Sequence, residues 1–113
     1  MQQLITQLLN DVQKMQNRYE TVKSKDIDYD FYKDVVPFTS HIDNLLETFS
    51  TFEPKILRLS YMNKKKFDLL ISNIESLSVE CHFKRTSRKL FTEKVKAVQY
   101  DLSYIQRSDA KLW

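Results

Sequence analysis

The sequence predicts an all-α protein: an antiparallel up-down four-helix bundle whose second helix is long and kinked at Pro37. Two observations lead to this prediction. The chain of 113 residues contains no glycine and only two prolines, whereas an average composition would supply about eight glycines. Because strand turns and bulges commonly use glycine for positive φ angles, its absence favours helices joined by short polar connections. The second observation is a repeated spacing of apolar residues.

Four segments carry apolar residues alternately three and four positions apart, the spacing that places them on one face of a helix. They predict helices over residues 2–23, 30–59, 64–83 and 87–107. The apolar positions of the first segment are Ile5, Leu8, Val12, Met15, Tyr19 and Val22. Such stripes suit helices that pack at shallow angles, and short connections make neighbouring helices antiparallel. Because a chain of this length supports one hydrophobic core, we expect residues 1–113 to form a single domain.

The second segment contains Pro37 and Pro54, and a proline inside a helix removes a hydrogen bond and clashes with the preceding turn. Its apolar spacing nevertheless continues through both prolines. We therefore predict one long helix kinked at Pro37, with a real break near Glu53 as the alternative. Polar residues that can accept an unpaired backbone N–H mark the starts of the last two helices. The candidate caps are Asn63 for the third helix, and Thr86 or Ser87 for the fourth.

A short signature begins at residue 29, where residues 29–32 read YDFY and residues 35–38 read VVPF. It resembles the tyrosine, aspartate, aromatic pair and proline of the YppE-like bacterial proteins. Residues 61–64 (YMNK) resemble that family's connection into its third helix, and residues 84–91 (KRTSRKLF) resemble the basic entry to its last. The resemblance spans residues 29–105. It implies a small, cytosolic, helical protein of unassigned function, and it supplies no catalytic residue.

The sequence lacks the residues that the common catalytic and ligand-binding motifs require. Phosphate loops, dinucleotide fingerprints and nucleophile elbows all need glycine. Neither His41 nor His82 has the glutamate three residues earlier that di-iron bundles use, and both are expected in surface or partly buried structural positions. Cys81 lies on an apolar stripe, where a free thiol behaves as a small hydrophobe, and the aspartates of residues 26–34 lack the glycine and glutamate of a calcium loop. We therefore expect no catalytic residue, cofactor or metal site, and a non-enzymatic protein.

The cellular location is predicted from three features. A single cysteine excludes an internal disulfide and suits a reducing compartment. No apolar run approaches the roughly 20 residues that span a bilayer, and the N-terminus lacks the cationic start of a signal peptide. We expect a cytoplasmic protein without a membrane partner. Trp113, at the chain end, is expected to be either ordered or frayed.

Charge is distributed unevenly along the chain. Residues 1–56 carry nine acids and six bases, a net charge of −3, whereas residues 57–113 carry six acids and twelve bases, a net charge of +6. A basic half can hold phosphates, so weak, salt-dependent nucleic-acid binding is the alternative function. In an up-down bundle the first and third connections share one end, where opposite charges would partly cancel. The side chains expected there are Asp26, Asp28 and Asp30 with Lys84, Arg85 and Arg88.

Aromatic residues are plentiful, with 7 phenylalanines and 6 tyrosines. Most phenylalanines follow the stripes, but several tyrosines do not, and a tyrosine off the stripe either flanks the core or anchors an interface. We therefore expect action through protein–protein contacts, with an unidentified partner or a second copy of the chain. The candidate interaction residues are Lys84, Arg85, Arg88, Lys89, Tyr29 and Tyr32.

Overall fold

The computed structural model describes residues 1–111, with side chains as far as Asp109, so Trp113 lies outside the described residues. This part of the chain is all-helical and contains no strand. The helices are α1 (Gln2–Lys25), α2 (Val36–Ser50), α3 (Glu53–Ile56), α4 (Lys64–Glu80) and α5 (Arg88–Lys111), and a π-helical turn (Phe31–Val35) leads directly into α2. None of the helices described is both long and apolar enough to cross a membrane.

The end of α1 is set by Asp26, whose φ of 56° and ψ of 39° place it in the left-handed helical region. Its backbone N–H donates to the carbonyl of Val22, which satisfies one of the acceptors left open at a helix end. Lys23 and Lys25 lie in the last turn, near the negative end of the helix dipole. Glycine is the usual residue at this position, and aspartate is one of the few others that adopts it readily. Asp26 thus takes the place of the glycine that commonly ends a helix.

The prediction of a single helix over residues 30–59 is wrong. The π turn and α2 occupy its first part, α2 ends at Ser50, and α3 is a separate short helix that begins at Glu53. Pro37 and Pro54 each lie in the first turn of a helix, where a missing N–H breaks no α-helical hydrogen bond. The alternative, an interruption near Glu53, describes this region of the chain.

The two later helices begin at polar caps. The side chain of Asn63 accepts the N–H of Lys66 at 2.8 Å, and the hydroxyl of Ser87 accepts the N–H of Leu90 at 3.3 Å. Each contact satisfies a donor that has no partner within its own helix. The structure therefore confirms Asn63 and selects Ser87 rather than Thr86.

A single cluster of apolar side chains connects all five helices. The largest of those that are fully buried are Tyr19, Phe49, Ile5, Leu8, Met15, Ile42, Ile56, Leu70, Ile74, Leu77, Leu102 and Ile105. Contacts at the helix ends show how α1 and α5 lie side by side. Gln2 at the start of α1 donates to the carbonyl of Gln106 late in α5 at 2.8 Å. Glu20 near the end of α1 pairs with Arg88 at the start of α5.

Candidate functional site

Two connections of the chain meet at one end of the molecule. Residues 26–30 precede the π turn, and residues 81–87 join α4 to α5; together we call them the loop end. Two hydrogen bonds join them: the Lys84 N–H donates to Asp28 Oδ1 at 2.7 Å, and the Tyr29 N–H donates to the His82 carbonyl at 3.0 Å. Because these bonds hold the two connections against each other, the loop end is a defined surface rather than a pair of independent loops.

Opposite charges do meet at the loop end, although not in all the expected pairs. Asp28 binds the backbone of Lys84, whose ammonium lies 3.9 Å from Asp26 Oδ1. Arg88 instead bonds to Glu20 of α1, with Nη1 2.6 Å from Oε1. The hydrogen bond from Arg88 lowers the pKa of Glu20. Both side chains of that ion pair are more than half exposed, so solvent screens it and it contributes little stability.

The remaining candidates at the loop end have other surroundings. Arg85 lies over the ring of Phe83, with Cζ 5.2 Å from the ring centroid, and its side chain is exposed. Lys89 is exposed in the first turn of α5. Asp30, the third acid of the first connection, accepts the N–H of Lys33 at 2.7 Å and so caps the π turn. Of the predicted bases, Arg85 and Lys89 therefore present their charge to solvent. None of the contacts described above pairs either of them with an acid.

The two candidate tyrosines have different environments. Tyr29 is partly buried, and its ring meets the His82 ring edge-on with a centroid separation of 5.2 Å. The Arg18 guanidinium lies over the same tyrosine ring at 5.4 Å. Tyr32 is 82% exposed. Tyr29 therefore flanks the core, whereas Tyr32 lies on the surface.

Tyr32 belongs to an exposed apolar group that begins just after α1. Ile27 is 69% exposed and Phe31 is 51% exposed. The Phe31 and Tyr32 rings are in edge-to-face contact at 5.1 Å. We call Ile27, Phe31 and Tyr32 the tip surface. Single exposed apolar residues are common on proteins, whereas contiguous exposed apolar surface marks interaction sites.

A partly buried polar contact joins Arg18 of α1 to His82 of the loop end. The histidine is fully buried, and its Nε2 is 2.7 Å from Arg18 Nη1. Arginine can only donate, so Nε2 accepts, and a neutral ring then carries its proton on Nδ1, which is 3.4 Å from Cys81 Sγ. Burial, followed by the charge of Arg18, lowers the pKa of His82. Burial likewise raises the pKa of the Cys81 thiol to about 12.

These positions bear on the sequence prediction for the two residues. Cys81 is buried in the core, as its place on the apolar stripe indicated. The surface or partly buried position expected for His82 is wrong, because the ring is enclosed by Phe38 and Tyr29. The Arg18 guanidinium also lies over the Phe38 ring at 4.5 Å, which explains how a charged group is accommodated beside an apolar core.

A second buried polar contact joins α1 to α2. Asp11 is fully buried, and its Oδ2 lies 2.8 Å from Nε2 of the half-exposed His41. Among the described residues, the other oxygen, Oδ1, has no hydrogen-bond partner, and it lies 3.7 Å from the ammonium of Lys14. Within the described residues no three His, Cys, Asp or Glu side chains converge as metal ligands would. The Asp11–His41 contact joins α1 to α2 by a hydrogen bond.

Sequence reasoning missed both Asp11 and Arg18, although a signal was present. Leu8, Asp11, Met15, Arg18 and Val22 follow one another at alternating spacings of three and four residues. That is the spacing of the buried face of α1, so the two charged residues occur at core-facing positions. A charged residue in such a register predicts a buried partner on a neighbouring helix.

The fold and the loop end together define an all-helical protein with exposed apolar side chains on the segment after α1 and a partly buried arginine–histidine contact. The sequence profile of a bacterial domain of unknown function, DUF1798, matches residues 5–108. The chain belongs to this family, and the resemblance to YppE-like proteins is confirmed.

Three crystal structures show the similarity. A DUF1798 domain of unknown function from Staphylococcus aureus subsp. aureus is 53% identical over 95% of this chain and 93% of its own, with a TM-score of 0.93. YppE from Bacillus subtilis is 18% identical over 94% and 91% of the two chains, with a TM-score of 0.84. A protein of unknown function from Listeria innocua is 20% identical over 94% and 87%, with a TM-score of 0.86. The last two likenesses concern the fold alone. Among curated proteins, none matches the chain.

Proposed function

We propose that this chain is a non-enzymatic, cytoplasmic binding protein that acts through protein–protein contacts or self-association at the tip surface. The observation that carries the proposal is the exposure of Ile27, Phe31 and Tyr32, three large apolar side chains within six residues of each other. Burying one such side chain fully is worth about 1.5–3 kcal/mol. Aromatic residues are also enriched among those that dominate binding energy. The tip surface therefore offers a compact anchor for a partner.

The framework that we propose beneath the tip is the antiparallel up-down four-helix bundle. Contacts between opposite helix ends support it. Phe49 near the end of α2 stacks on Phe67 early in α4, with centroids 5.7 Å apart. Glu80 at the end of α4 accepts from Lys94 early in α5 at 2.6 Å. Hydrogen bonds between the two connections order the loop end, and a preorganised anchor loses little conformational entropy on binding.

The burial and the shifted pKa values of Cys81 and His82 support the proposal that the protein is not an enzyme. A nucleophilic cysteine acts as a thiolate in an accessible, electropositive site. Cys81 is buried and its pKa is raised to about 12, so its thiol remains protonated and inaccessible. His82 is fully buried with its pKa lowered, first by burial and then by Arg18. Neither group is placed to exchange a proton with a substrate.

Site-specific photo-crosslinking tests the proposal. A benzophenone amino acid at position 32 should form a discrete protein adduct in the native cytosol, and Phe31→Ser should weaken the adduct by removing a neighbouring anchor. The same probe at Lys96, an exposed position on α5, serves as the control. Sedimentation of the purified chain identifies self-association. A monomer at high concentration together with no adduct specific to position 32 would refute the proposal.

Weak nucleic-acid binding is the second candidate, because Lys84, Arg85 and Lys89 are all exposed near the start of α5. Two observations weigh against it. Arg88 is engaged by Glu20, and Asp26 lies close to Lys84. Fluorescence anisotropy with short DNA and RNA duplexes and single strands tests it. The candidate requires an affinity that falls steeply with salt and is lost when Lys84, Arg85, Arg88 and Lys89 are changed to Ala.

A further inference from the structure

The contact between Asp11 of α1 and His41 of α2 determines which ring nitrogen of the histidine carries the proton. Asp11 is fully buried, and its Oδ2 lies 2.8 Å from His41 Nε2. The carboxylate accepts this hydrogen bond, so Nε2 donates, and the neutral ring keeps its lone pair on Nδ1. Among the described residues the ring forms its hydrogen bond through Nε2 alone. Within this part of the chain, the Nδ1 lone pair is therefore not engaged by a donor.

His41 is also the histidine that solvent reaches. The chain contains two histidines, and His82 is fully buried with its Nε2 bonded to Arg18. The His41 side chain is 45% exposed. Because its Nε2 faces the buried carboxylate, the exposure falls on the rest of the ring, where Nδ1 lies. An exposed imidazole nitrogen with a free lone pair is a nucleophile.

A positive charge lies beside the same carboxylate. The Lys14 ammonium is 3.7 Å from Asp11 Oδ1, and the lysine side chain is 61% exposed. The imidazole of α2 and the ammonium of α1 thus lie next to the two oxygens of one carboxylate. A lysine ammonium on its flexible stem is a common partner of phosphate oxygens. The surface between α1 and α2 therefore combines a nucleophilic nitrogen with a neighbouring cation.

The burial of Asp11 favours a role beyond holding the two helices together. Burying a charged pair costs desolvation free energy, and apolar residues of similar size commonly stabilise a fold as well or better. An oriented carboxylate does, however, fix the tautomer of a histidine and makes its other nitrogen more electron-rich. Gln7, one turn earlier on α1, donates to the same Oδ2 at 3.4 Å and helps to orient the carboxylate.

We propose that His41 is a site of phosphorylation, with the phosphoryl group bound to Nδ1. The donor is a compound that carries its phosphoryl group on an acyl oxygen or on nitrogen, such as an acyl phosphate or a phosphoramidate. The Nδ1 lone pair attacks phosphorus, the bond from phosphorus to the leaving group breaks, and the carboxylate or amine departs with the electron pair. The ring becomes positively charged and keeps its Nε2 proton in the hydrogen bond to Asp11. His41 is the residue modified, so the step requires no catalytic turnover by this chain.

The groups around His41 favour a phosphoryl group over an acyl group or a metal ion. A phosphoryl group retains negative charge, which the Lys14 ammonium can pair. An acyl group is neutral and gains nothing from that ammonium. A metal ion requires several converging ligands, and within the described residues no three His, Cys, Asp or Glu side chains converge.

Treatment of the full chain with potassium phosphoramidate at neutral pH tests the site. We expect a single phosphoryl group, which mass spectrometry under alkaline conditions should map to His41 and not to the buried His82. NMR of the isotope-labelled product should show phosphorus coupled to Nδ1, because Asp11 engages Nε2. A short peptide of residues 38–44 lacks Asp11 and should be modified on both ring nitrogens. Modification of His41 at Nε2, or of both histidines at equal rates, would overturn the proposal.

Variants separate the roles of the two neighbouring groups. Asp11→Asn keeps the shape of the side chain but no longer fixes the tautomer of His41, and we expect roughly tenfold slower modification. Lys14→Gln, at an exposed position, should slow modification roughly threefold, whereas Lys96→Gln, exposed on α5, should have no effect. The melting temperature shows whether each variant is folded, and Lys14→Gln decides the test if Asp11→Asn unfolds. Unchanged rates would show that His41 reacts as an ordinary exposed histidine and would overturn the proposal.

The state of His41 in the cell provides the final test. Chain recovered from the native cytosol under alkaline conditions should carry an acid-labile phosphoryl group on His41. The variant His41→Gln should lack it. The absence of this group from the unaltered chain throughout growth would also overturn the proposal.

Discussion

The contact between Arg18 and the buried His82 predicts that the protein loses stability in mild acid. Protonating His82 would place a second positive charge next to the guanidinium and convert the accepting Nε2 into a donor. The folded state therefore resists the proton, whereas the unfolded chain binds it near the ordinary pKa of about 6.5. Because the folded pKa is lowered, the stability is fully present above the unfolded pKa. It is lost as the pH falls below that value.

The size of this effect follows from proton linkage. While the unfolded chain holds one proton more than the folded chain, each pH unit changes the free energy of unfolding by about 1.4 kcal/mol. Chemical denaturation between roughly pH 7.5 and pH 5 measures how the free energy of unfolding depends on pH. This range lies on both sides of the ordinary histidine pKa of about 6.5. Asp34 acts in the opposite direction by favouring the charged ring, but burial and Arg18 act more strongly.

The variant His82→Gln isolates the contribution of the ring. Its side-chain carbonyl can still accept from Arg18, but it binds no proton, so the loss of stability between pH 7.5 and 5 should be smaller by up to about 1.4 kcal/mol per pH unit. The nitrogen shifts of His82 should also show that the folded ring has a pKa below the ordinary histidine value of about 6.5. Parallel pH dependence in the two proteins would refute the assignment of His82 as a buried acceptor.

Three further predictions concern single positions. Asn63→Ala should destabilise the protein by about 1 kcal/mol in chemical denaturation by removing the cap of α4, whereas Asn44→Ala, at an exposed site within α2, should have a much smaller effect. Asp26→Gly should raise the melting temperature, because glycine adopts the left-handed conformation at the end of α1 without steric cost; a lower melting temperature would mean that the nearby Lys84 ammonium matters more than the backbone. Cys81 should react with thiol reagents only as fast as the chain opens, since the thiol is buried with a pKa of about 12, and reaction at the rate of a free thiol would contradict its burial.

The helices could be predicted wherever the apolar spacing and a polar cap agree. The stripe from Ile5 to Val22 is buried throughout. Asn63 caps α4 as expected, and Ser87, one of the two candidates, caps α5. The region after α2 could not be predicted in the same way. Apolar spacing indicates which side chains face the core. It does not distinguish one continuous helix from two consecutive helices whose core-facing residues keep the same spacing.

The candidate site was predicted only in outline. The meeting of the first and third connections followed from topology, and Tyr32 is exposed as an anchor should be. The roles of Tyr29 and Arg88 depend on contacts with Arg18 and Glu20, which lie far away in sequence on α1. Such pairings are set by how the helices rotate against each other, and one sequence contains no direct record of that rotation.

The π turn ahead of α2 sets the direction in which the tip surface faces. Its Val35 and Val36 N–H groups donate to the carbonyls of Asp30 and Phe31, five residues back, so the turn accommodates one residue more than an α-helical turn. Removing a single residue there would rotate everything before it by about 100° relative to α2. Phe31 and Tyr32 would then point in a new direction while the core of α2 stayed in place. A one-residue insertion or deletion at this point is therefore a simple way for relatives with the same fold to present different surfaces.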